Sequence, residues 1–297
     1  MPWIAKQMTW HAQPKENGGV MRHPSDSSSW VVVNTKWPSF SEEHRNVRLG
    51  LATDGFNPFG HLSSVHSCWP VIIVPYNLPP SLCMKREFSM LTVLIPGPKG
   101  PSKDIDLYLQ PLVDELKELW LNGVSTYDSH SKTIFNLKAM LMWGIHDFLA
   151  YGSLSGCVIH AQFACPVCAE GTVSERLKSG KKYSYQSHRR FLPINHVFRT
   201  QKASFNNETE ERRAPRRLSG LEVEDKVAGI QMDIGKSKGK QRKSYDDESA
   251  DNITAWYKRS ILFNQPFWKV VFSIWYYIPY SCILINRQVE IYFVLML

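Results

Sequence analysis

Little in this sequence points to secretion, to a disulfide scaffold or to a repeat array. Residues 1–10 lack the long apolar run of a secretory signal. Six cysteines, Cys68, Cys83, Cys157, Cys165, Cys168 and Cys282, are scattered over 297 residues. A reducing compartment is therefore expected and a disulfide framework is not. No segment recurs at a fixed period, which excludes solenoids and propellers. Long apolar runs are scarce as well. The run at residues 270–285 is sixteen residues long and contains Pro279, whereas a membrane-spanning helix needs about 20. Acidic residues are outnumbered, 27 Asp and Glu against 35 Lys and Arg, giving a net charge of +8. That excess favours a polyanionic partner, nucleic acid or a membrane surface. What is plentiful is apolar and aromatic: 43% hydrophobic residues and 10 Trp suit a sizeable core.

Residues 1–44 are rich in Trp, His, Ser and Pro without a sustained period, and read as an irregular leader. Residues 45–54 alternate polar and apolar and run into Gly55, Asn57 and Pro58, which end a strand. Residues 68–76 form a second strand, closed by Asn77, Leu78, Pro79 and Pro80, and residues 89–95 a third, closed by Pro96, Gly97 and Pro98. Short turns join the three as an antiparallel meander. Residues 103–121 change period: Ile105, Leu109, Leu112, Val113, Leu116, Leu119 and Trp120 share one helical face. Asn122 and Gly123 stop that helix. Residues 133–145 are apolar and deliver Asp147 at their end, and the sheet order favours a fourth strand. Residues 156–205 carry a Cys/His cluster in loop-like sequence, and 206–255 read as a flexible basic linker. Residues 256–269 read as a residual core segment, and 270–297 as an apolar tail unrelated to it.

Three strands, a helix and a fourth strand are the opening order of a ribonuclease-H-like α/β fold, here assigned to residues 45–155. In that fold a carboxylate on the first strand sits beside one at the end of the fourth. Asp54 and Asp147 occupy those places. Such a pair suits two hard cations about 4 Å apart, one activating the attacking hydroxyl and the other stabilising the leaving oxygen of a phosphodiester. Asp before Gly is also a common turn signal. On spacing alone the pair reads as well as two turn-starting aspartates.

The surrounding motifs carry more. Leu-Gly-Leu-Ala-Thr-Asp-Gly-Phe-Asn-Pro-Phe at 49–59 resembles the first-aspartate motif of the CACTA (En/Spm-type) transposases of plants. The likeness includes Met-Thr-Trp-His at 8–11, Arg-His-Pro-Ser-Asp-Ser at 22–27 and Trp-Pro-Val-Ile-Ile-Val-Pro-Tyr-Asn-Leu-Pro-Pro at 69–80. It continues through Ile-His-Asp-Phe-Leu-Ala-Tyr-Gly-Ser-Leu-Ser-Gly at 145–156, Ala-Cys-Pro-Val-Cys at 164–168 and His-Arg-Arg-Phe-Leu-Pro at 188–193. In all it spans residues 4–205, with a fainter echo at 256–268. The resemblance implies a DDE/D transposase core that cuts and rejoins DNA with Mg²⁺. Asp54 and Asp147 would be its first two metal ligands. It further implies a nuclear location and DNA as the partner, with no small-molecule substrate. A third acid is implied shortly beyond residues 259–269, where residues 270–278 hold neither His nor carboxylate. Glu290 lies in a different context. The expectation is therefore a truncated core, catalytically silent, followed by a foreign tail. Two other readings are a non-catalytic nucleic-acid or protein-binding module derived from a transposase, and a membrane-associated protein held through the tail.

Cys165 and Cys168 have the two-residue spacing that lets adjacent thiolates meet one Zn²⁺. His188 and His196 are the leading further ligands, with Cys157 and His160 as a second choice. The resemblance, which includes a CxxC and a downstream His, favours a zinc-pinned insertion, while the residues alone leave a plain pair of reduced cysteines equally open. Lys181, Lys182, Arg189 and Arg190, interleaved with Tyr183, Tyr185 and Phe191, suit phosphates and bases. The same residues also suit a solvated loop.

Overall fold

A computed structural model of the chain describes residues 1–14, 21–60, 66–164, 168–185, 187–216, 218–230 and 255–270. Three short helices come first: α1 (Pro2–Gln7), α2 (Ser28–Lys36) and α3 (Pro38–Glu42). They replace the expected irregular leader. Each is too short to display a helical period, and tertiary packing holds α2 and α3. Trp30, Val33 and Phe40 are buried in the main core, and Trp30 stacks on Trp143 at 5.8 Å. Ser27 caps α2, its hydroxyl oxygen accepting from the backbone N–H of Trp30.

The meander follows as β1 (Val47–Thr53), β2 (Trp69–Pro75), the single-turn α4 (Pro80–Cys83) and β3 (Met90–Ile95). Next comes α5 (Ile105–Leu121), burying Ile105, Leu109, Leu112, Val113 and Leu116 along one stripe. Residues 133–145, expected as one strand, are two. A hairpin of β4 (Val124–Asp128) and β5 (Thr133–Leu137) stands apart from the sheet, and β6 (Ala139–Ile145) begins only after Lys138. Asp128 sets the hairpin turn, accepting from the His130 N–H and the Ser131 hydroxyl. The sheet order is β3-β2-β1-β6. β1 runs antiparallel to β2 and parallel to β6, and α5 packs on β3 and β6.

β6 leads into α6 (Phe148–Ser155), which ends at Gly156 in the left-handed region, φ 75°. A Cβ at Gly156 would lie 2.3 Å from the Lys258 carbonyl oxygen. This close approach lets residues 255–270 dock. The Tyr257 N–H donates to the Gly156 carbonyl and the Val158 N–H to that of Ala255. Ile261, Leu262 and Phe267 join the main core, and Lys258 pairs with Asp106 of α5 at 3.0 Å.

Residues 168–230 add the hairpin β7 (Ser174–Arg176) and β8 (Tyr183–Tyr185), then α7 (Val197–Thr200) and α8 (Gly220–Val227). Helix α8 falls where a flexible linker was expected. A capping box of Ser219 and Glu222 starts it, and Val223 and Val227 bury themselves in a second cluster with Trp256 and Trp268. The rest of that linker, residues 231–254, and the tail from 271 onward lie outside the described residues. Among the described residues no helix is long and apolar enough to cross a membrane.

Candidate active site

Asp54 follows β1 directly and Asp147 begins the turn into α6. Parallel pairing matches Ala52 with Ile145. Asp54 and Asp147 each lie two residues beyond that pair, at the same end of adjacent strands, and the charge of Asp147 acts on Asp54. The register is not uniform along the pair. It shifts by one residue between Leu49 and Gly50, and this irregularity aligns the two aspartates.

Both carboxylates are held from one side. Asp54 Oδ1 accepts from the Gly55 N–H at 2.6 Å, and Asp147 Oδ1 accepts from the Ala150 N–H at 2.6 Å as the cap of α6. No described residue donates to either Oδ2. Asp54 is exposed and Asp147 half-buried. Partial desolvation pushes the Asp54 carboxyl above its usual range; the Gly55 hydrogen bond opposes this, and the negative charge of Asp147 adds to the rise. Two like charges close enough to act on one another would be relieved by a divalent cation. The donor set thus fits a hard metal, with two carboxylates supplied by described residues. No group of three or more metal-binding side chains forms among the described residues.

Gly55 belongs to the same edge, because a Cβ there would meet Trp69 Nε1 at 2.6 Å and Ser67 Oγ at 2.8 Å. Phe56 pairs with Cys68 through two backbone hydrogen bonds of 2.9 Å, which ties the Asp54 loop to the start of β2. Phe56, Phe59 and Leu149 are exposed beside the aspartates in the chain.

His146 stands next to Asp147 in the second-aspartate motif, where nothing in the local pattern marks it as more than a core histidine. It is 5% exposed, and burial pushes its pKa down to about 4, against the opposing influence of Asp147. The ring is therefore neutral at pH 7. With its proton on Nδ1 it donates to the Asp147 carbonyl at 3.1 Å, steadying the backbone that carries the second aspartate.

The transposase family tnp2 matches residues 18–230. The chain belongs to that family. Both aspartates and the basic stretch lie within the tnp2 match, while residues 255–270 lie beyond it. No curated protein and no solved structure matches the chain.

The remaining expected site residues divide. Cys165 lies outside the described residues. Cys168 is buried, and its Sγ accepts from Arg190 Nη2 at 3.1 Å. His188 is exposed on the surface; partial desolvation and then the Arg190 charge lower its pKa from the usual imidazole value. His196 commits Nδ1 to the Phe198 N–H as the cap of α7. In the tnp2 match Lys181 and Lys182 are exposed. Arg189 and Arg190, expected to face nucleic acid, are instead each 8% exposed. Arg189 donates to the carbonyls of Phe198, Gln201 and Glu208 and stacks on Phe205 at 4.4 Å. Arg190 donates to the Gly171 carbonyl as well as to Cys168. Their guanidinium groups are engaged in holding loops together.

Proposed function

We propose that this chain is the core of a CACTA-type plant transposase on a ribonuclease-H-like sheet, with Asp54 and Asp147 as the first two ligands of a DDE/D metal site. The observation that supports the reading is the parallel pairing of β1 with β6, whose last matched pair is Ala52 with Ile145, so that Asp54 and Asp147 each stand two residues beyond it, with the charge of Asp147 acting on Asp54. The strand order β3-β2-β1-β6, with α5 between β3 and the last strand, supports the fold assignment. A bound Mg²⁺ would supply Lewis acidity toward a phosphodiester and its nucleophile. Asp54 and Asp147 would hold it through their outward oxygens. The backbone bonds at Gly55 and Ala150 fix the direction of each carboxylate, and Phe56, Phe59 and Leu149 offer apolar faces to nearby bases.

The position of the third acid in the resemblance falls at residues 270–278, which contain no carboxylate. We therefore assign this chain by itself no strand-transfer activity, since a metal held by two of three ligands is weakly placed. Incubation of the purified chain with DNA and Mg²⁺ or Mn²⁺ tests this. The expected result is DNA binding without cleavage; metal-dependent cleavage abolished by Asp54→Ala would overturn it.

A structural Zn²⁺ on Cys165, Cys168, His188 and His196, and a nuclear location, belong to the same proposal. The CxxC spacing of Cys165 and Cys168 supports the zinc. About one zinc per freshly purified chain is expected, and none would remove that part. A binding module without catalysis is the second reading, supported by exposed Lys181 and Lys182.

A further inference from the structure

Beyond β3 the Gly-Pro-Lys-Gly-Pro run at 97–101 does more than end a strand. Gly97 has φ 87°, and a Cβ there would lie 2.7 Å from the Ser67 carbonyl oxygen. The Ser67 N–H donates to the Pro98 carbonyl at 2.8 Å. His66 Nε2 and Cys68 Sγ donate to the Pro96 carbonyl at 2.7 Å and 3.3 Å. These bonds press the run onto residues 66–69, the same strip to which Phe56 pairs. Gly100 completes the fit. A Cβ on Gly100 would meet Trp69 Nε1 at 2.9 Å, and one on Gly55 would meet the same atom at 2.6 Å. The α-carbons of Gly55 and Gly100 therefore lie within about 9 Å of each other. At its far end the run turns through Ser102–Asp104, which packs on α6, the helix that Asp147 caps. One short segment thus borders both the Asp54 loop and the Asp147 helix.

The charge this segment shows to solvent is positive. Lys99 and Lys103 are exposed, and no described residue pairs with either ammonium group. Pro101 between them is buried, and Pro96, Pro98 and Pro101 fix φ along the run, so the lysines stand on a stiff backbone. The acids that follow do not neutralise them. Asp106 is buried and paired with Lys258 at 3.0 Å, and Asp104 is half-buried with Oδ1 enclosed. A phosphodiester brought to two carboxylates meets repulsion, and cations bordering the pair offset it. We propose that the 97–103 loop holds the DNA backbone at the aspartate edge, with Lys99 and Lys103 as its phosphate contacts. This rests on the reading of Asp54 and Asp147 as a metal site acting on DNA. An ammonium on a flexible stem meets a phosphate as a point charge and positions the strand without reading its sequence.

The test is fluorescence anisotropy of the full chain with a labelled DNA duplex, without divalent metal and between about 50 and 200 mM salt. Lys99→Ala with Lys103→Ala should weaken binding and lower the slope of log affinity against log salt by about 2. Lys36→Ala with Lys85→Ala removes the same charge from α2 and from the turn before β3, where both lysines are exposed, and should leave the slope nearly unchanged. Borohydride trapping on a duplex carrying an abasic aldehyde adds a positional readout, with Lys99 or Lys103 among the lysines joined to DNA. Equal effects in the two double variants would overturn the proposal, as would trapping at neither Lys99 nor Lys103. Absence of saturable DNA binding by the wild-type chain would overturn it too. Mn²⁺ binding without DNA separates this outcome from the metal reading: Lys99→Ala with Lys103→Ala should leave it intact, and its absence from the wild-type chain would sink the metal reading whatever the lysines do.

Discussion

Asp54 and Asp147 each stand two residues past the last matched pair of β1 and β6, Ala52 with Ile145, an equal offset that follows from the one-residue shift of the pairing between Leu49 and Gly50. In the register that holds before the shift, Leu49 opposite Leu141, the position opposite Asp54 would belong to His146. Irregularities of this kind re-aim side chains next to active sites. Here the result is a pair of carboxylates at one edge and a neutral histidine tucked behind them.

That pairing has a signature in stability. The folded-state pKa of Asp54 is raised, so ionisation opposes folding. The penalty is absent below the unfolded pKa near 3.9 and complete above the folded value. Asp54→Asn should therefore raise the melting temperature at pH 7 and leave it unchanged at pH 3. The side chain is exposed, which limits the gain to about 1 kcal/mol or less. Thermal melts of both proteins at the two pH values check it.

The β4–β5 hairpin should respond to acid in the opposite sense. Asp128 is pulled down to about 2, chiefly by the Ser131 hydroxyl, with further help from backbone N–H groups and Arg45. A depressed carboxylate contributes stability above its unfolded pKa, and this is lost as pH falls from about 4 toward 2. Asp128→Ala should cost about 1–3 kcal/mol at pH 7 and little at pH 2, measured by urea denaturation.

Gly156→Ala should loosen residues 255–270 from the core. The left-handed φ of 75° and the 2.3 Å approach to the Lys258 carbonyl leave no room for a Cβ. Strain alone costs about 1–3 kcal/mol, and the docked segment should become accessible to limited proteolysis ahead of the sheet.

Arg189 and the lysines should separate by phenotype. Arg189→Lys loses a fork that donates to four backbone carbonyls and should destabilise the fold by about 2–3 kcal/mol. Lys181→Ala with Lys182→Ala should leave stability unchanged while weakening DNA binding and flattening its salt dependence. Denaturation and fluorescence anisotropy on the two variants distinguish them.

The strands flanking Asp54 and the stripe of α5 were legible because one-sided burial imprints a period on sequence. The hairpin was not. Residues 133–145 are apolar almost throughout, and only Lys138 marks the point where β5 ends and β6 begins. Helices α2 and α3 are short and anchored by Trp30 and Phe40, whose contacts with Trp143 and Trp120 come from distant sequence. Residue type and strand-end position pointed to both aspartates, but their alignment depends on a parallel pairing and a register shift that no local pattern encodes. Arg189 and Arg190 look solvated in a basic run, and only the folded loops show carbonyls around them.

The paired aspartate site is tested most directly by titrating the chain with Mn²⁺ and following free metal by electron paramagnetic resonance. A shared site predicts that wild-type protein binds Mn²⁺, that Asp54→Asn and Asp147→Asn each abolish the binding, and that the double variant is no worse than either. Binding that survives each single substitution would contradict it.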